Sequence, residues 1–184
     1  MSPIDFTDVV WAVCLGLPLS FFAFHIQRMR GATRRIVLVA EDLVELLAQG
    51  DFARASSRLE EVGGDLGRDV QGFLVQLLAK PWVGAGEAVR IADTCVARPR
   101  VRAVLLAGIL SIPVAVFVGL VSRDRAIESQ CQAVTLFGLI SVGCGTLLPN
   151  YADACKVRII RALLDVQRAA EAWLSAHGKD SKPI

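Results

Sequence analysis

Residues Val104–Tyr151 read VLLAGILSIPVAVFVGLVS RDRAIESQ CQAVTLFGLISVGCGTLLPNY: two apolar runs without a formal charge, joined by a short polar segment. At about 1.5 Å of rise per residue, each run as a helix approaches the roughly 30 Å hydrocarbon thickness of a bilayer. A helix satisfies its backbone hydrogen bonds internally, which lipid demands. The connection, Arg123–Gln130, is too short for anything but an antiparallel hairpin. Gly108, Gly119, Gly138, Gly143 and Gly145 recur along the two runs, and Pro113 interrupts the first of them. Small residues at such positions let helices in lipid approach closely.

A third run lies near the N-terminus, Val9–Ile26, VVWAVCLGLPLSFFAFHI, again without charge. Extended as a helix it measures about 27 Å. Asp5 and Asp8 precede it, the basic cluster follows it, and no A-x-A site comes after it. That polarity is opposite to a secretory signal, so the run reads as a membrane helix. Pro18 is tolerated there as a kink. Three such runs in 184 residues, 54% of them hydrophobic, predict an all-α integral membrane protein with three transmembrane helices, its partner surface the lipid bilayer.

Lys and Arg set the orientation. Arg28, Arg30, Arg34 and Arg35 follow the first run, Arg98, Arg100 and Arg102 precede the second, and Lys156, Arg158 and Arg161 follow the third. Three crossings put all three clusters on one side, which the positive-inside rule makes cytoplasmic. The N-terminus is therefore expected outside and the C-terminus inside. The expected divisions are 1–27 (outer segment and first crossing), 28–102 (a cytoplasmic helical region), 103–151 (the hairpin) and 152–184 (a cytoplasmic C-terminal helix and tail).

Within 28–102, Ile36–Gln49 has helical apolar spacing and Gly50 supplies a C-cap; Asp51 then caps FARASSRLEEV. Leu66–Lys80 predicts a third helix, ended before Pro81, and Glu87–Val96 a short fourth. After the hairpin, Lys156–Ala176 is amphipathic, with Ile159, Leu163, Val166, Ala170 and Trp173 near one face.

The net charge of +2 gives no concentrated basic face for nucleic acid. Five irregularly spaced cysteines, an odd number without a CxxC pair, indicate neither a disulfide framework nor a zinc site. No HExxH, GxSxG, GxxxxGK[ST] or strand-linked GxGxxG occurs, and the two histidines, His25 and His177, have no evident partner for catalysis or metal binding. No catalytic residue, cofactor or metal is expected. The polar groups in the hairpin are hydroxyls: Ser111, Thr135, Ser141 and Thr146, with Gln132 near the outer end. Hydroxyls in membrane helices commonly bond back to their own backbone. The functional alternative is a polar track for an ion, with Thr135, Gly138 and Ser141 on roughly one face.

The order of elements resembles the MotA/TolQ/ExbB family of proton-channel subunits. The stretch LVELLAQGDFARASSRLEEVGGDLGRDVQGFLVQLL is similar to that family's cytoplasmic region, with its GD(Y/F)xxA turn between short helices. AVTLFGLISVGCG resembles its A-x-T-x-x-G-L stretch, with Thr135 and Gly138 in place. The resemblance implies a homo-oligomer, a pentamer, in the bacterial inner membrane. It also implies a single-crossing partner of the ExbD/TolR/MotB kind, whose membrane Asp carries the proton. This chain has Cys144 where the family usually has proline, and Ile112 followed by Pro113 where the second crossing usually has threonine. Those departures bear on proton conduction more than on fold, and they leave a non-conducting scaffold of similar architecture as the alternative.

Overall fold

The computed structural model describes residues 6–62, 64–79, 84–96, 101–122 and 124–177. They form six helices: α1 (Phe6–Ala48), α2 (Phe52–Val62), α3 (Gly64–Ala79), α4 (Gly84–Cys95), α5 (Arg102–Val121) and α6 (Arg125–His177). No strand occurs among the described residues. Three of the helices, α1, α5 and α6, are long and apolar enough to cross a membrane. Lys80, Pro81 and the basic residues Arg98 and Arg100 lie outside the described residues.

Two helices are longer than the hydropathy pattern predicts. The first apolar run and the expected Ile36–Gln49 helix are one continuous α1 of 43 residues. The third run and the C-terminal amphipathic helix are one α6 of 53 residues. No proline lies between the paired segments. Gln27–Arg35 is rich in straight-chain residues that favour helix, and Thr33 inside α1 turns its hydroxyl onto the Met29 carbonyl at 2.8 Å. Gly31 within that stretch is tolerated, and Ala152–Cys155 contains neither Gly nor Pro. The hairpin connection is also shorter than expected. α6 begins at Arg125, with Asp124 as its N-cap: the Ala126 amide donates to Asp124 Oδ1 at 2.9 Å. Glu128 therefore belongs to the first turn of α6 and not to a loop.

The chain divides into two compact units, one within Met1–Arg28 and Arg98–Tyr151, the other within Met29–Ala97 and Ala152–Ile184. The second has an ordinary hydrophobic core. Ile36, Leu43 and Leu47 of α1, Leu59 of α2, Phe73 and Leu77 of α3, Ile91 of α4, and Ile159 and Leu163 of α6 are all fully buried. The turn from α1 to α2 is a Schellman motif. The Asp51 amide donates to the Leu46 carbonyl and the Gly50 amide to the Leu47 carbonyl, both at 3.0 Å. Gly50 takes φ of +74°, which a residue with a side chain resists. Asp51 then caps α2, its Oδ1 accepting from the Arg54 amide at 3.0 Å. Trp173 closes over this corner, edge-on to Phe52 with ring centroids 4.5 Å apart. Ion pairs finish the surface, Arg58 with Asp42 at 3.0 Å and Lys156 with Asp93.

The first unit lacks such a core. In the most apolar stretches of α1 and α5 only 6% and 11% of residues are buried. What is buried is a narrow seam between α5 and α6. A Cβ on Gly108 would lie 2.8 Å from the Gly138 carbonyl oxygen, and a Cβ on Gly138 would lie 2.8 Å from that of Gly108. Neither glycine can carry a side chain without parting the helices. The antiparallel register runs on in both directions, with Gly119 facing Cys131 and Gly145 facing Leu105. α1 joins through the Trp11 indole, which donates to Ser129 Oγ at 3.2 Å, and through Pro18, whose carbonyl takes a weak bond from the Cys144 thiol at 3.9 Å.

Candidate functional site

In the first unit a groove of about 490 Å³ runs beside the α5–α6 seam. Trp11 of α1 is among its lining residues. Ala115 and Gly119 of α5 keep one wall low, and Glu128, Gln132 and Thr135 line the other. These last three are spaced i, i+4 and i+7, so α6 places them on one stripe. The stripe becomes apolar at Leu139, which also lines the groove. Glu128 sits in the first turn of α6, where the helix dipole favours a negative charge.

The hydroxyls singled out in the sequence fall in three different places. Thr135 lines the groove, and its Oγ1 donates to the Cys131 carbonyl at 2.8 Å. Its proton is thus committed to its own helix, and its lone pairs are left to accept a bond from an incoming donor. Ser111 donates to the Gly108 carbonyl at 3.0 Å, beside the seam. Thr146 is exposed and donates to the Val142 and Gly143 carbonyls at 3.1 and 2.9 Å. Ser141 is fully buried against Gly108, and its Oγ has no hydrogen-bond partner among the described residues. Gly138 and Ser141 thus meet α5 within the seam, while Thr135 looks into the adjoining groove.

Among the packing residues, Gly108 and Gly138 are in intimate contact, and Gly119 lies 3.3 Å from the Cys131 Cβ at the position its own Cβ would take. Gly143 has nothing within 4 Å of that position, and Pro113 is exposed. Trp11 and Glu128 were missed in the sequence. Trp11 reads there as one apolar residue among many. Glu128 reads as part of a polar loop, although its spacing to Gln132 and Thr135 would have placed it had α6 been started at Arg125.

All five cysteines are free thiols. Among the described residues no cluster of His, Cys, Asp and Glu could hold a metal ion. The chain matches no family profile, no curated protein and no solved structure.

Proposed function

We propose that the chain is a multi-pass protein of the bacterial inner membrane, N-terminus outside and C-terminus cytoplasmic. In this reading it is a ring-forming subunit, pentameric by family resemblance, of a proton-driven motor or energy-transducing complex. The observation that carries it is the pairing of bare apolar helix surface with one partly polar groove. Large side chains on α5 are exposed, Phe117 at 69% and Leu120 at 81%. Water does not tolerate a contiguous apolar surface of that kind, whereas lipid and neighbouring helices cover it. The groove is where that surface turns polar.

The partner is a single-crossing helix with a membrane Asp. Thr135 offers acceptor lone pairs, so it favours the protonated carboxyl, which donates, over the carboxylate, which only accepts. A hydrogen bond of this kind in lipid is worth about 1 kcal/mol. That is enough to bias where the carboxyl holds its proton, while the transmembrane gradient drives the cycle. Thr135→Val preserves shape and removes the hydroxyl. It is expected to lower proton flux several-fold in vesicles containing both subunits and to leave their co-purification intact; full flux in the variant would assign Thr135 to packing.

A second reading is a non-conducting scaffold of the same architecture. It is favoured by the back-bonding of Ser111, Thr135 and Thr146 to their own helices. Absence of flux in the wild-type pair, with a stable complex, would select it.

A further inference from the structure

Arg54, Arg58, Arg90 and Arg168 of the second unit each hold a carboxylate. Arg30, Arg34 and Arg35 of α1 are exposed and hold none among the described residues. α1 itself contains no acid between Asp8 and Glu41. These three arginines surround one glycine. At about 100° per residue, Arg34 and Arg35 lie on either side of Gly31, about 60° and 40° round the helix and one turn further on. Arg30 follows on the Arg34 side. The opposite face of the same stretch is buried, through Met29, Thr33 and Ile36. Helix side chains tilt toward the N-terminus, so Arg34 and Arg35 project back over the turn that holds Gly31. A Cβ on Gly31 would meet nothing within 4 Å, so the place between the arginines is open. Glycine is disfavoured in a helix interior, and no packing contact requires one here.

We propose that this arginine cradle on α1 binds the phosphate of an anionic phospholipid headgroup. The inference rests on the membrane reading above, which sets the depth of the cradle. α1 runs unbroken out of its apolar run through this stretch. Counted along the helix, Gly31 lies about 8 Å beyond Ile26. The headgroup region extends about 5–8 Å beyond the hydrocarbon on each side, so the cradle opens at the level of the phosphates. The long arginine stems let their guanidinium groups reach back to that level. A guanidinium fork matches two phosphate oxygens at once, and the missing side chain at Gly31 leaves room for the phosphate between the forks. Three cations without a carboxylate select a headgroup of net negative charge. A zwitterionic headgroup brings its own cation into the same space, where like charges repel.

The test uses the full-length protein in a mild nonionic detergent, with phosphatidylglycerol or phosphatidylcholine added in equal amounts and bound lipid counted by native mass spectrometry. The expected result is retention of phosphatidylglycerol well above phosphatidylcholine. Arg34→Gln with Arg35→Gln should weaken that retention roughly 30-fold, about fivefold for each charge removed at the membrane surface. Two further variants keep every charge. Gly31→Leu fills the cradle, and Arg34→Lys with Arg35→Lys loses the forks; each should weaken retention several-fold. Arg168→Gln, whose guanidinium already holds Asp165, should change nothing. Equal retention of the two lipids by the wild type would overturn the proposal. Undiminished phosphatidylglycerol retention in both charge-preserving variants would overturn the cradle in favour of diffuse charge. Binding of inorganic phosphate with no preference between the lipids would replace the lipid with a soluble anion. A chain recovered in the soluble fraction without detergent would overturn the membrane reading, and the lipid site with it.

Discussion

In the unit built from the apolar runs, Phe117 and Leu120 stand open while glycines fill the contacts; in the other unit Phe73, Leu43 and Leu163 are at 0% exposure while Arg58, Glu60 and Arg168 face outward. One chain thus follows two packing rules. Where water is the solvent, folding is driven by apolar burial, and large side chains go inside. Where lipid is the solvent, burying a leucine gains little, so close backbone approach through small residues takes over. On the proposed membrane reading, α1 and α6 each pass from one regime to the other without a break in the helix.

The largest expected difference is in truncations of large residues. Phe73→Ala should destabilise by about 3–5 kcal/mol, because a fully enclosed ring leaves a cavity. Phe117→Ala should stay within about 0.5 kcal/mol, as an exposed substitution does. Denaturant unfolding of the detergent-solubilised protein compares them, and equal losses would break the contrast. Glycines should show the reverse. Gly138→Ala places a Cβ 2.5 Å from Ile112 Cγ1 and should cost about 1–3 kcal/mol by forcing the seam apart. Gly143→Ala meets open space and should be neutral or stabilise by up to about 1 kcal/mol through helix propensity. Thermal melts of the two variants sharpen the comparison.

The smallest effect is in pH dependence. Burial, with a smaller contribution from nearby Asp69, pushes the Cys95 thiol above its ordinary value. The folded state therefore holds that proton more tightly than the unfolded chain. The resulting stabilisation is fully present below the ordinary thiol pKa of about 8.5, and it is lost as pH rises through the raised folded value. Unfolding midpoints should accordingly fall on the alkaline side, and Cys95→Ala should flatten that slope.

The apolar helices were legible because charge is excluded from Val9–Ile26, Val104–Ser122 and Cys131–Tyr151, and lipid-length runs have few other uses. The corner at Gly50 and Asp51 was legible because its cap chemistry is local. The continuity of α1 and α6 was not. Hydropathy changes at Gln27 and near Ala152, yet the helices run on through both, past Gly31 in α1 and Pro149 in α6. The groove was half legible. Thr135 and Gln132 stood out as polar residues in apolar surroundings, whereas Glu128 was hidden by the charged neighbours Asp124 and Arg125. That Ser141 is buried without a hydrogen-bond partner among the described residues, and that Gly143 is open, could not be read at all. Their short-range sequence is similar, and only the placement of Gly108 across the seam separates them.

The proposed topology makes the turn before α6 and the face of α2 reachable from opposite sides of the membrane. In a cysteine-free background, Asp124→Cys sits in the exposed turn between α5 and α6, and Glu60→Cys sits on the exposed face of α2. A membrane-impermeant maleimide applied to intact cells is predicted to label Asp124→Cys at once, and Glu60→Cys only after the membrane is opened. Labelling of Glu60→Cys in intact cells, with Asp124→Cys protected, would contradict the orientation. Equal labelling of both in a soluble fraction would contradict the membrane reading itself.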